Sequence, residues 1–211
     1  MTYIPAGDFI SGPDSSPAIK NTNAYFIDIY EVTAVEYQEC VEESVCSYNG
    51  STTDVARTYD NNRAEFPINF VSWDEASRYC QWVEKRLPTA QEWEKAARGV
   101  DQWHHPWGNE DADCSRAVML ERGGSNANMG CETGDPWAVG KKTDGRSPYG
   151  AHDMIGNVAE WTSTQSYTMG SSWMTTRGGG YSSTESYLKV WMEVSHPKSD
   201  WEASIGFRCA K

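Results

Sequence analysis

Asp153, Asn157 and Glu160 stand at D-x-x-x-N-x-x-E spacing around Gly156. Three hard oxygen side chains beside the carbonyls of a glycine-containing loop suit Ca²⁺ better than zinc. The same residues admit a structural reading, in which Gly156-Asn157 makes a tight turn and Glu160 accepts backbone hydrogen bonds. The six cysteines, at 40, 46, 80, 114, 131 and 209, include no C-x-x-C pair, and an even count without such pairs points to disulfides rather than zinc. The histidines do not alter this. His104 and His105 are adjacent, His152 and His196 lie far apart, and no two stand at i, i+4, the spacing that sets two imidazoles on one helical face.

Six cysteines allow fifteen pairings. Spacing favours Cys40 with Cys46 and Cys114 with Cys131, leaving Cys80 and Cys209 to pair by elimination. Disulfides imply an oxidising compartment, so the chain is expected to work outside the cytoplasm, in a periplasm, at a cell surface or secreted. Buried free thiols in a reducing compartment are the alternative.

Among other groups able to do chemistry, Ser182 and Ser183 lack a base nearby in sequence except His196, which stands beside Pro197. A nucleophilic serine needs such a base within reach. Glu185 and Glu193 are eight residues apart on irregular chain and then strand, so no facing acid–base geometry follows. Tyr181, Tyr187, Trp191 and Trp201 are interleaved with Ser183, Glu185 and further small polar residues. Rigid rings among adaptable polar groups have the composition of a recognition surface. Tyr181 and Trp191 could equally be core.

Three helices must position these residues. Thr33, Ser72 and Thr89 are each followed three residues later by glutamate, the capping-box form. Helices are therefore expected from Ala34 to Glu43, from Trp73 to a point before Leu87-Pro88, and from Ala90 to a stop at Gly99. From Gly99 to Gly150 no period persists and Gly, Asp, Asn, Pro and Trp accumulate, which reads as long loop. Thr175–Gly178, Tyr187–Val194 and Gly206–Ala210 are the expected strands. The class is α+β, with few short helices and a small antiparallel sheet.

The 211 residues carry a net charge of −12. That charge repels a phosphate backbone and excludes nucleic acid as a partner. No run approaches the roughly 18 apolar residues of a membrane span, so no membrane insertion by this chain is expected. Ten Trp, 11 Tyr and 5 Phe supply enough burial for an ordered single domain over residues 1–211. Met1 to Pro5 has no basic or apolar leader character, so any leader is expected to be absent from this chain.

A series of stretches occurs in fixed order: Ile4-Pro5-Ala6-Gly7-Asp8-Phe9, Arg86-Leu87-Pro88-Thr89, Glu92-Trp93-Glu94, Pro106-Trp107-Gly108-Asn109, Asp153-Met154-Ile155-Gly156-Asn157-Val158-Ala159-Glu160-Trp161, Arg177-Gly178-Gly179-Gly180 and Gly206-Phe207-Arg208-Cys209. Through these the chain resembles the formylglycine-generating-enzyme (sulfatase-modifying factor) family over its whole length. The resemblance implies an irregular domain akin to the C-type lectin fold, with a pocket near the C-terminal segment. It supports the Cys80–Cys209 bridge. It also implies a calcium site formed by the side chains of Asp153, Asn157 and Glu160 with the backbone carbonyls of Gly156 and Val158.

The family's oxidase chemistry needs two cysteines after the Arg-Gly-Gly stretch, which bind Cu(I) as thiolates. Laid on that pattern, this chain has Ser183 and Leu188 at the two positions. Hydroxyl and alkyl groups are poor ligands for soft Cu(I), so no copper cofactor and no formylglycine-generating oxidase activity are expected. What remains is a non-catalytic module that binds a protein, peptide or glycan ligand through Tyr181, Ser183, Glu185, Tyr187, Trp191 and Trp201. The alternative is an enzyme of the same family with non-oxidase chemistry or an unusual oxidoreductase. One branch of the family, the variable proteins of diversity-generating retroelements, displays changeable residues on this segment and ends in Ile-Gly-Phe-Arg, as does Ile205-Gly206-Phe207-Arg208 here.

Overall fold

Each of the three expected capping boxes closes. Thr33, Ser72 and Thr89 accept from the amides of Glu36, Glu75 and Glu92, and each glutamate carboxylate accepts from the backbone of its own cap. The helices that follow are α1 (Ala34–Glu42), α2 (Trp73–Trp82) and α3 (Ala90–Arg98). Gly99 ends α3 with φ 78°, a conformation glycine adopts without a Cβ clash. These bounds come from a computed structural model, which describes residues 1–59, 62–121 and 129–211.

Among the described residues eight short strands accompany the helices: β1 (Thr2–Ile4), β2 (Gly7–Ser11), β3 (Ala18–Thr22), β4 (Tyr25–Ile27), β5 (Ala159–Gln165), β6 (Trp173–Arg177), β7 (Glu193–Pro197) and β8 (Ile205–Gly206). β1 pairs with β4 and β2 with β3, both antiparallel. The other four form a sheet in the order β7-β6-β5-β8, antiparallel except for the β5–β8 pair. The architecture is α+β, with three short helices and small, mostly antiparallel sheets among the described residues.

Two large apolar clusters and a smaller third fill the interior of the described residues. Tyr37, Ile68, Tyr79, Trp161 and Phe207 pack between α1, α2 and the sheet. Trp93, Met154, Ile155, Leu188 and Val190 pack beneath α3. All six cysteines are bridged, as Cys40–Cys46, Cys80–Cys209 and Cys114–Cys131. The pairing favoured by spacing is therefore the one formed. The glycine-, serine- and asparagine-rich stretch at 122–128, inside the Cys114–Cys131 loop, lies outside the described residues.

Two expected strands need correction. The one expected over Tyr187–Val194 begins only at Glu193, after a 3₁₀ turn at Glu185–Tyr187. Leu188 and Val190 are both buried there, and their amides donate to Glu185 and His104 carbonyls instead of to a neighbouring strand. The strand expected over Gly206–Ala210 is reduced to Ile205–Gly206, with Ala210 making isolated bridges to Ile27 and Arg86.

Candidate functional site

The Asp153–Glu160 segment enters β5 through a turn in which Gly156 has φ 78° and Asn157 φ 58°. A Cβ on Gly156 would lie 2.6 Å from the Val118 carbonyl oxygen, so only glycine fits this close approach. The turn points three polar side chains into the interior. Glu160, fully buried, accepts from Arg208 Nε at 2.6 Å, Arg208 Nη2 at 2.7 Å and Trp93 Nε1 at 2.7 Å. Arg208 directs its remaining N–H groups to the carbonyls of Asp28, Ile29 and His152, so all five guanidinium donors are used. Asn157 accepts from the Trp137 amide at 2.8 Å and donates to Glu31 at 2.6 Å. Asp153 accepts from the Gly140 amide at 2.6 Å.

Glu31, not among the site residues expected from the sequence, completes the cluster. It is buried and accepts from the Val158 amide at 3.1 Å. Burial, with the nearby Asp153 and Glu160 charges, raises its carboxyl well above the usual range. Burial pushes Asp153 up to about 6. The side chains the resemblance offers to Ca²⁺ are thus already engaged, Glu160 by a bidentate arginine and Asn157 Oδ1 by a backbone amide. A calcium ion, which takes six to eight oxygens, would have to share these side chains with Arg208 and the Trp137 amide.

The C-terminal cleft is a separate site. It has a volume of about 160 Å³ and lies between β6, β7 and the Gly178–Gly180 turn. Arg177, Ser183, Tyr187, His196 and Glu202 line it. Ser183 Oγ accepts from the Gly180 amide at 3.1 Å. A Cβ on Gly179 would lie 2.9 Å from Leu188 Cδ2 and 3.1 Å from Ser183 Oγ. The two positions where the resemblance requires thiolates therefore sit together against Gly179, as an alkyl and a hydroxyl group.

The other residues expected at a ligand surface disperse. Tyr187 and Trp201 are 53% and 43% exposed, Tyr187 on the cleft and Trp201 against Phe70 with ring centroids 6.0 Å apart. Tyr181 is buried and packs with Ala56 and Val118, so it is core and not contact surface. Trp191 is half-buried, beneath Arg98 at 5.3 Å and edge-on to His104 at 5.0 Å. Glu185 pairs with Lys189 at 3.0 Å and Glu193 with Arg177 at 3.0 Å, so the two carboxylates serve different cations. Lys189 also contacts His105 Nε2 at 3.0 Å, and burial, then Lys189, pushes His105 down to about 4.

One grouping escaped the sequence reading. His196, Asp200 and Glu202 each offer a ligand atom, all within 4.8 Å of one another. His196 Nδ1 lies 3.5 Å from Glu202 Oε1, and the hydrogen bond from His196 holds the Glu202 carboxyl below its usual range. A search restricted to histidine pairs overlooks the local H-x-x-x-D-x-E spacing that would have found it.

Comparison with known proteins bears on the whole chain. The sequence model of the sulfatase-modifying factor enzyme 1-like domain matches residues 1–211. The inactive C-alpha-formylglycine-generating enzyme 2 of Bos taurus is 35% identical over 162 residues, covering 70% of this chain and 51% of that protein. The formylglycine-generating enzyme of Thermomonospora curvata is 32% identical over 180 residues, 71% of this chain and 56% of the enzyme. The chain thus spans about half the length of these relatives. PvdO from Pseudomonas aeruginosa superposes with a TM-score of 0.81 at 18% identity, over 99% of this chain and 92% of its own. Treponema denticola variable protein 1 superposes with a TM-score of 0.76 at 22% identity, over 100% and 94%.

Proposed function

The chain belongs to the sulfatase-modifying factor enzyme 1-like family, and we propose that within it this protein is a non-catalytic binding domain. The observation that carries the proposal is the state of its sulfur. All six cysteines are in disulfides and none is free, while Ser183 and Leu188 stand against Gly179 where the oxidase chemistry needs two thiolates. Neither position offers Cu(I) a thiolate. The relative named as an inactive formylglycine-generating enzyme is in keeping with this.

Binding would use the outward side of the C-terminal segment, where Tyr187 and Trp201 are exposed and where Tyr187 and Ser183 line the cleft. A net charge of −12 favours neutral or cationic protein, peptide or glycan surfaces. Three disulfides favour an oxidising, extracytoplasmic setting, and among the described residues no helix is long and apolar enough to cross a membrane. Calcium at the Asp153–Glu160 turn, the other expectation from the resemblance, would require the ion to take Glu160 from Arg208.

Two measurements test the reading. The Cu(I)-treated protein, incubated with a cysteine-containing sulfatase peptide, is expected to leave the peptide mass unchanged, and conversion to formylglycine would overturn it. Screening on peptide and glycan arrays is expected to give saturable binding that the double variant Tyr187→Ala/Trp201→Ala abolishes. A second reading, an enzyme of non-oxidase chemistry, is favoured by one feature only, the convergence of His196 and Glu202 on the cleft.

A further inference from the structure

We propose that His196, Asp200 and Glu202 form a binding site for a divalent first-row transition metal of the zinc class, with an open coordination position toward the C-terminal cleft.

The donor set is one imidazole nitrogen and two carboxylate oxygens. Calcium prefers six to eight oxygens, whereas nitrogen with carboxylate is a zinc-type set, and three protein ligands leave a fourth position vacant. Tetrahedral zinc, with bonds of about 2.0–2.2 Å, holds its donors about 3.3 Å apart. His196 Nδ1 and Glu202 Oε1 already lie 3.5 Å apart. The widest separation, within 4.8 Å, closes by rotation of half-buried Asp200 and exposed Glu202.

The backbone carrying these side chains is held from both ends. The Asp200 amide donates to the Pro197 carbonyl at 3.0 Å, and the Ile205 amide to Glu202 at 3.2 Å. From outside the loop, the Trp73 amide donates to Lys198 at 3.1 Å and the Phe70 amide to Glu202 at 3.1 Å. A loop fixed in this way brings its donors together with little ordering cost on binding. Lys198, the cation within the loop, sits 4.6 Å above the Trp73 ring. His196 is held edge-on against Trp161 at 5.7 Å. His196 and Glu202 both line the cleft, together with the Ser183 and Ser204 hydroxyls and the apolar Met192, Val194 and Ile205, so the fourth position would face a small space of mixed lining with room for a water or a small oxygen-donor ligand.

The experiment is calorimetric titration of the chelator-treated, disulfide-intact protein with zinc chloride, repeated with Co²⁺ to read visible absorption. One equivalent of zinc and a four-coordinate Co²⁺ spectrum are expected. Asp200→Asn and His196→Gln should each weaken zinc by more than about 100-fold, beyond what loss of an outer-shell partner costs. His196 packs on Trp161, so Asp200→Asn decides the matter if the histidine variant fails to fold. His104 forms a second surface pair with Asp14 at 2.8 Å, and His104→Gln should leave affinity unchanged. Absence of stoichiometric zinc binding, binding that survives Asp200→Asn, or binding lost with His104→Gln would each overturn the proposal.

Discussion

The turn at Asp153–Glu160 and the loop at His196–Glu202 hold similar polar side chains and use them in opposite ways. In the turn, Glu160 faces Arg208 and Trp93, Asn157 faces Glu31 and the Trp137 amide, and Asp153 faces the Gly140 amide. In the loop, Glu202 is exposed and its carboxylate meets His196 at 3.5 Å. A buried network must satisfy its lone pairs internally because water cannot. A loop at the surface can leave donors free for a ligand. The more familiar set of ligand residues is thus the one already committed to the fold.

If the buried region is the closed, structural one, its ties should dominate stability. Replacing Cys80 and Cys209 by alanine removes a bridge spanning 129 residues, for which the chain-entropy relation gives a loss of about 5 kcal/mol. The same change at Cys40 and Cys46, six residues apart, should cost about 2 kcal/mol by that relation. Urea denaturation of the two variants measures the difference, and equal losses would remove the special place of the C-terminal segment.

Arg208→Met leaves Glu160 charged and buried and should cost about 3–5 kcal/mol. Glu202→Gln, in the open loop, should change stability by less than about 0.5 kcal/mol, as surface substitutions do. A Glu202 effect comparable to that of Arg208 in the same urea experiment would erase the contrast between the two regions.

Protonation gives a finer test. Asp153 is raised to about 6 by burial, so the folded state holds its proton more tightly than the unfolded chain. The stability this contributes is fully present below the unfolded value near 3.9 and is lost as pH rises through about 6. Asp153→Asn keeps an acceptor for the Gly140 amide. The variant should therefore lack up to about 3 kcal/mol of the wild-type decline between pH 4 and pH 6, read as the difference between two stability profiles. Parallel profiles would show that Asp153 ionises as freely in the fold as outside it.

The smallest expected effect is that of calcium. With Glu160 and Asn157 engaged, millimolar Ca²⁺ or its removal by EGTA should leave the melting temperature at pH 7.5 unchanged. A calcium-dependent rise would mean that the ion displaces Arg208 from Glu160, and would turn the closed region into a cation site.

Much of this molecule was legible before folding, and the legible parts share a property. The capping boxes at Thr33, Ser72 and Thr89 act within four residues, so the three helix starts agree with the sequence. Two of the disulfides close short loops, and the third followed by elimination. The strands were harder. β1 to β4 depend on pairing partners such as Thr2 with Ile27, and the segment after Tyr187 turned inward because Leu188 and Val190 had a core to enter.

By itself the sequence determined that a hydroxyl and an alkyl group, Ser183 and Leu188, stand at the two positions where the family's oxidases carry thiolates, and it determined the helices through local caps. Only the tertiary structure decided what the polar groups do. Arg208 reaches Glu160 across 48 residues and Asn157 reaches Glu31 across 126, distances no spacing rule spans. Whether a carboxylate is a free ligand or a buried partner depends on which donors the folded chain brings to it.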